Sequence, residues 1–399
     1  MKFLPKLLNK ALRNGSITLI GPDGTVHKTG NPDDQPSAVV KINDPSLDWK
    51  IALNPELKAA EAFMDGGLEI VEGDVYDLVC LFFKNKDKFD LTPVQMLLNS
   101  VMRKARRLQQ HNPIARSRQN VKHHYDLGDD LFDLFLDDDK QYSCAYFPTG
   151  TETLEEAQEA KKDHIARKLC LKPGNTVLDI GCGWGGLAIY LAKDRDARVT
   201  GITLSEHQAR IARERVKAEG LEGQVEIVIR DYRELNRTFD RIVSVGMLEH
   251  VGVVHLKDYF TAVRNMLKSK GVALIHSISA KTPPGITGPF LRKYIFPGGY
   301  SPAISEIAAA VELSGLWILD CEVWRFHYGY TLRAWRERFM ANRDRAVEIY
   351  DERFARMWEF YLASCEASFL CGSSNVVQIQ LGREADAVPL SRNYLYQTN

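Results

Sequence analysis

The stretch Val177-Leu178-Asp179-Ile180-Gly181-Cys182-Gly183-Trp184-Gly185-Gly186 constrains this 399-residue chain more than any other. A short apolar-leaning run leads into glycines at 181, 183, 185 and 186, and Leu187-Ala188-Ile189-Tyr190-Leu191 follows as an apolar helical run. Strand, tight turn and helix in that order form the opening unit of a doubly wound α/β sheet. The glycines permit positive φ and close approach of backbone to a ligand. A turn that feeds a helix N-terminus also aims unpaired N–H groups at whatever binds there.

The residues around the turn narrow the guest. Asp179 stands two residues before Gly181. A carboxylate repels a phosphate but suits a cationic amino acid, so the pattern points to S-adenosylmethionine; a bare glycine turn would equally serve a phosphate or a plain bend. The next strand ends Gly201-Ile202-Thr203-Leu204-Ser205 with no acid to hold a ribose, which leaves Thr203 and Gln208 as the polar groups there. Asp231-Tyr232, past the third strand, can offer adenine a carboxylate or backbone and a ring.

The alternation continues downstream. Strands are expected at Val199–Thr203, Val225–Ile229, Arg241–Val245, Val272–His276 and Trp317–Cys321, with Val376–Leu381 closing the sheet, and helices at Glu206–Glu219 and Leu256–Leu267. The catalytic domain is expected over 123–399, with a Pro- and Gly-rich lid insertion at 281–305 over the C-terminal edge of the sheet and a helical insertion at 332–370. In the latter, Tyr350, Phe354, Met357, Trp358, Tyr361 and Cys365 share a stripe that suits a core or a substrate wall.

Ahead of it, residues 1–110 read as a small α/β domain. Met1 to Arg13 places Phe3, Leu4, Leu7, Leu8 and Ala11 on one helical face amid lysines, which fits either a membrane-surface helix or packing on its own domain. A hairpin follows at 16–27, then strands at Val39–Ile42 and Trp49–Leu53, and helices near 56–65, 74–84 and 92–110. A basic linker spans 111–122.

Lys plus Arg and Asp plus Glu balance at 52 each, but residues 1–125 hold 18 basic against 14 acidic side chains. Leu91 to Tyr125 has no acid and seven Lys or Arg. The run is read as a docking patch for an anionic membrane surface, the alternative being a solvated helix face. Nucleic acid is disfavoured by few aromatics in that run and an acidic remainder. Seven cysteines without C-x-x-C indicate neither a disulfide framework nor a metal site, and suggest a reducing cytoplasm. No apolar run approaches a membrane span, so association with the inner face of a membrane would be peripheral.

His124-Tyr125-Asp126-Leu127-Gly128, Tyr142-Ser143-Cys144-Ala145-Tyr146, the glycine turn, Gly246-x-x-Glu249-His250-Val251-Gly252, Tyr294–Gly299 and Tyr328-x-x-Thr331-Leu332-x-x-Trp335 together resemble the cyclopropane fatty acid synthases. The resemblance covers about residues 1–385. It implies a class I S-adenosylmethionine-dependent methyltransferase fold, a Rossmann-like doubly wound sheet with a smaller α/β N-terminal domain. It implies methyl transfer to a cis double bond of a phospholipid acyl chain, then ring closure through a carbocation; methylation without ring closure is the near alternative. A homodimer is compatible with this reading.

By the same resemblance, the donor is held by Tyr142, Ser143, Gly181, Gly183, Thr203, Gln208 and the Tyr232 region, to which charge logic adds Asp179. A bicarbonate serves as base, held by groups matching Cys144, Glu249, His276 and Tyr328, and the rings of Tyr125 and Tyr328 face the cation. Taken singly, Cys144 also reads as a buried small residue, His276 as a core histidine and Glu249 as a carboxylate favoured by a helix start. No metal is expected.

Overall fold

The computed structural model describes residues 1–90 and 128–396. The expected helix at 92–110, the basic run from Leu91 to Tyr125, the linker at 111–122 and Tyr125 itself lie outside the described residues. By packing, the described chain falls into two compact units: residues 1–90, 286–297 and 329–373 form the first, and 128–285, 298–328 and 374–396 the second.

In the first unit the expected hairpin forms from β1 (Ser16–Ile20) and β2 (Val26–Gly30), paired antiparallel. β3 (Ser37–Ile42) runs parallel to β1, and β4 (Leu68–Glu72), not anticipated from the sequence, pairs antiparallel with β3. Trp49–Leu53, expected as a strand, lies instead in the helix Leu47–Leu53. Its buried residues Leu47 and Ile51 are four apart, a helical spacing, while Trp49 and Leu53 stay exposed. Buried Asp48 fixes the helix against the N-terminus, its carboxylate accepting from the backbone N–H groups of Lys2 (2.6 Å), Phe3 (3.1 Å) and Leu4 (2.9 Å). The N-terminal helix Leu4–Ala11 turns Leu4, Leu8 and Ala11 into the core of this unit, which favours the packing reading over the membrane-surface one.

The helical stretch expected as an insertion in the catalytic domain packs with the first unit. Trp358 and Tyr361, on the helix Glu352–Leu370, are buried, and Phe360 meets Phe63 (6.1 Å) and Phe290 (4.9 Å). Met357, Trp358 and Tyr361 of the expected stripe are therefore core, while Tyr350, Phe354 and Cys365 are only partly buried. The middle of the expected lid belongs here as well, since Lys293 (2.6 Å) and Tyr294 (3.0 Å) donate to Glu61. Cys80 and Cys371 form a disulfide, S–S 2.13 Å, so the expectation of no disulfide fails. With the two cysteines separated by 291 positions and no motif at either, spacing alone could not reveal the pair.

The second unit is built on a seven-stranded sheet. In chain order its strands are β5 (Thr176–Ile180), β6 (Arg198–Thr203), β7 (Val225–Ile229), β8 (Phe239–Val245), β9 (Leu267–Ala280), β10 (Trp317–Trp324) and β11 (Ser374–Gly382). Their order in space is β10-β11-β9-β8-β5-β6-β7. β9, β8, β5, β6 and β7 are mutually parallel, and β11 is antiparallel to both its neighbours. β11 is thus an inner strand, and β10, not Val376–Leu381, ends the sheet. Burial explains the swap: β11 is covered almost throughout, whereas Trp317, Ile318 and Val323 on β10 remain exposed.

Successive residues feed opposite faces. Val177, Val199, Val243 and Leu274 join the core under the helices Leu154–Lys168, Gly186–Lys193 and Glu206–Ala218. Leu178, Ile202, Ile242 and Ile275 join the core under Leu256–Met266 and Ile304–Ser314. Among the described residues, no helix is long and apolar enough to cross a membrane.

Candidate active site

From β5 the chain winds outward through β6 and β7, then returns to the other side of β5 as β8. The carboxyl ends of β5 and β8 flank that reversal, which is where sheets of this kind open a crevice. Gly181, after β5, has φ +85°, and Gly246, after β8, has φ +69°. The cavity there is lined from the ends of four parallel strands: Asp179 to Gly183, Ile202 to Leu204, Arg230 to Arg233 and Val245 to Met247.

All eight residues assigned to the methyl donor line this one cavity: Tyr142, Ser143, Asp179, Gly181, Gly183, Thr203, Gln208 and Tyr232. Thr203 Oγ1 donates to Gln208 Oε1 (3.1 Å) and accepts from the Ser205 N–H (3.2 Å), which fixes the acid-free end of β6. Asp231 is buried and held by the Arg233 guanidinium at 2.7 and 2.8 Å. Tyr232 sits edge-on to Tyr259, and burial pushes its phenol up to about 12.

Asp179 carries the strongest signal. It is fully buried, its Oδ2 has no hydrogen-bond partner among the described residues, and burial pushes its carboxyl up to about 7. An acceptor stranded on a cavity wall suits a guest with a cationic donor. The residues present therefore fit S-adenosylmethionine, which brings an ammonium and a sulfonium. His250, also on the wall, is driven by burial down to about 4 and so is neutral at physiological pH.

The residues assigned to the base occupy an adjoining set of elements. Glu249 sits in the 3-10 turn Leu248–His250 just past β8, with its Oε1 accepting from the Ile278 N–H of β9 at 2.5 Å. Its Oε2 has no partner among the described residues, and burial raises the carboxyl to about 7. The backbone oxygen of Glu249 also takes the Tyr300 N–H (2.9 Å), just past the expected lid motif. His276 lies two residues before Ile278, buried, with Nδ1 3.1 Å from Gln378 Nε2. Burial, with Lys161 and Lys168 nearby, holds its pKa well below the ordinary value, so the ring is neutral.

Beside Cys144 and Tyr328 in sequence, Tyr146 and His327 pack around Trp324, whose ring also meets His276. The Trp324 ring lies 5.1 Å from His276, 4.8 Å from Tyr146 and 5.5 Å from His327. His327 Nδ1 accepts the Phe147 N–H at 2.9 Å. Cys144 is buried, its thiol directed to the Ala145 carbonyl at 3.3 Å, and Tyr328 is half-buried in the first turn of the helix His327–Ala341.

Gln141 and Lys161 on the wall were not singled out from the sequence, and His250 entered only as part of a motif, with no role assigned. Lys161 lies on the helix Leu154–Lys168, which was not anticipated from the sequence, and no pattern in the chain marked it.

The family described as mycolic acid cyclopropane synthetase matches residues 112–379, and a domain of unknown function matches residues 3–92. The cyclopropane-fatty-acyl-phospholipid synthase of Escherichia coli is 45% identical over 262 residues, which is 66% of this chain and 67% of its own. A tuberculostearic acid methyltransferase of Mycobacterium tuberculosis is 42% identical over 282 residues, 67% of this chain and 66% of its own. A crystal structure of a mycolic acid cyclopropane synthase with SAH and CTAB aligns with TM-score 0.64 at 33% identity, covering 68% of this chain and 99% of that one. The strand order, the crevice and these likenesses agree: the chain is an S-adenosylmethionine-dependent methyltransferase of the class I α/β fold, and it belongs to the mycolic acid cyclopropane synthetase family.

Proposed function

We propose that this enzyme alkylates the cis double bond of an unsaturated phospholipid acyl chain and closes a cyclopropane ring on it. Bound S-adenosylmethionine supplies an electrophilic methyl group, and the carbon–sulfur electron pair leaves with sulfur. The alkene π pair forms the new carbon–carbon bond and leaves a carbocation. Loss of a proton from the transferred methyl then provides the pair that closes the ring.

The observation that supports this reading is Glu249: a buried carboxyl near neutrality, anchored through one oxygen, with the other free of partners among the described residues. An alkene needs no deprotonation before attack, so a base that acts only after transfer suits the chemistry. Cys144, Glu249, His276 and Tyr328 would hold a bicarbonate, whose oxygen supplies that base. Glu249 would accept the hydrogen of this guest and orient it, and neutral His276 can donate a ring N–H. By the family resemblance, Tyr125 and Tyr328 would offer π faces to the cation, an interaction of roughly 1–2 kcal/mol when desolvated.

Incubation of the purified protein with labelled donor and unsaturated phospholipid vesicles, followed by mass spectrometry of the acyl chains, tests the proposal. A product heavier by one carbon that resists hydrogenation as an alkene supports ring closure. Full turnover in rigorously bicarbonate-free buffer would remove the bicarbonate assignment. The second reading, a methyl-branched product without a ring, draws support from the likeness to the tuberculostearic acid methyltransferase; the same spectra distinguish it.

The substrate is a membrane lipid, so the enzyme is read as a peripheral protein of the cytoplasmic membrane face, with the basic run through Arg103 to Arg118 meeting anionic headgroups. Charge reversal in that run should weaken vesicle binding more than turnover on detergent-dispersed substrate. Equal loss in both assays would count against docking.

A further inference from the structure

The wall of the donor cavity from Lys140 to Ser143 belongs to no helix or strand, yet it is fixed in place from one side. Gln158, Lys161 and Lys162 fall on one face of the helix Leu154–Lys168, at the i, i+3 and i+4 spacing that groups side chains together. All three are buried. Gln158 Nε2 donates to the carbonyls of Gln141 (3.1 Å) and Ser143 (3.0 Å). Lys161 Nζ donates to Gln141 Oε1 (2.6 Å) and Ser143 Oγ (2.9 Å), and Lys162 Nζ to Asp139 Oδ2 (2.8 Å).

Lys161 is the unusual member. A fully buried ammonium carries a large desolvation cost, offset here in part by the nearby charges of Asp137 and Asp139, while its hydrogen bonds go to the neutral oxygens of Gln141 and Ser143. Its placement makes sense if the charge serves the cavity it lines. Burial lowers its pKa to about 8, which leaves it mostly charged at neutral pH, and its charge favours the ionised form of Asp179.

We propose that Lys161 is a positioning residue for the methyl donor, holding the Gln141 and Ser143 side chains so that the wall they form keeps a donor-binding shape. The proposal rests on the donor cavity and is independent of what the methyl group is transferred to. Calorimetric titration with S-adenosylhomocysteine tests it on wild type, Lys161→Met and Lys161→Arg, with turnover measured at saturating donor. Lys161→Met should weaken binding roughly tenfold, as loss of a charged hydrogen bond does, while kcat at saturation stays within about threefold. Lys161→Arg should recover part of the affinity.

A folded Lys161→Met protein with unchanged affinity overturns the proposal, as does a parallel fall in kcat with affinity intact. Should Lys161→Met show no cooperative melt, Gln141→Met removes the same hydrogen bond from the other partner. Weakened binding there sustains the proposal and wild-type binding defeats it. Wild-type protein that does not bind S-adenosylhomocysteine would instead refute the donor cavity itself, a distinguishable result.

Discussion

The donor cavity and the Glu249–His276 region are built from adjacent strand ends and each keeps a stranded carboxylate oxygen, Asp179 Oδ2 in the first and Glu249 Oε2 in the second, but the loop that walls the first is bonded far more densely. Around the donor, the 137–143 loop is bonded at nearly every turn: to Gln158, Lys161 and Lys162 on one side, and through Asp139 to Arg215 on the other. The region past β8 keeps acceptors without donors among the described residues, Glu249 Oε2 and Gln378 Oε1. Each such buried atom costs on the order of 1–3 kcal/mol if nothing ever satisfies it. The contrast teaches that the first region is preformed for a large, many-contact guest. The second leaves two acceptors that a guest carrying hydrogen-bond donors would satisfy, as the proposed bicarbonate would.

Replacing Glu249 with Gln should separate the two most sharply. Turnover is expected to fall by about a hundredfold or more, the scale of lost acid–base function, with donor affinity within twofold of wild type. A matching loss of donor affinity, measured by calorimetry, would show that the two regions are one.

Asp179→Asn probes the donor-side acid whose Oδ2 has no hydrogen-bond partner among the described residues, and should weaken S-adenosylmethionine binding by roughly tenfold. Its folded carboxyl titrates near 7 against an ordinary 3.8, so below pH 7 it carries a proton that a cationic guest should expel. Titrations near pH 6.5 in buffers of different ionisation enthalpy should detect proton release in wild type and less of it in the variant. Stability follows the same sign. Between 3.8 and 7 the native protein binds a proton that the unfolded chain has lost, so the contribution of Asp179 falls as pH rises through that window. Ligand-free Asp179→Asn should therefore melt above wild type at pH 8, with the gap closing toward pH 4; a constant gap would contradict the burial argument.

Gly186→Ala should have the smallest effect. A Cβ there would fall 2.5 Å from Asp139 Oδ1 and 2.6 Å from Oδ2, against the bonded loop. Overpacking of this kind costs about 1–3 kcal/mol, a melting shift of several degrees at this chain length, with a few-fold loss of donor affinity. An unchanged affinity would mean that the wall tolerates displacement, which would blunt the contrast with the region past β8.

The donor residues were legible because a strand, a glycine turn and a helix are local: the turn's backbone geometry and the order of elements are written within a few residues of one another. Tyr142 and Ser143 came from motif resemblance, and they reach the same cavity through a loop whose anchor, Lys161, carries no local mark. The strand read at Trp49–Leu53 failed because a five-residue apolar run fits both periods, and contacts to the N-terminus decided for a helix. β11 looked like a closing strand until its burial on both faces set it inside the sheet.

The chain by itself therefore determined the doubly wound unit, the glycine turn and eight of the residues that line the donor cavity. Such features depend on short-range sterics and on patterning along one element. Only the tertiary structure decided which unit residues 329–373 pack with, that Cys80 meets Cys371, and that Glu249 and Asp179 are dry enough to titrate near neutrality. Those outcomes depend on how far water is excluded and on which distant surfaces meet, and neither quantity is encoded in any local window of sequence.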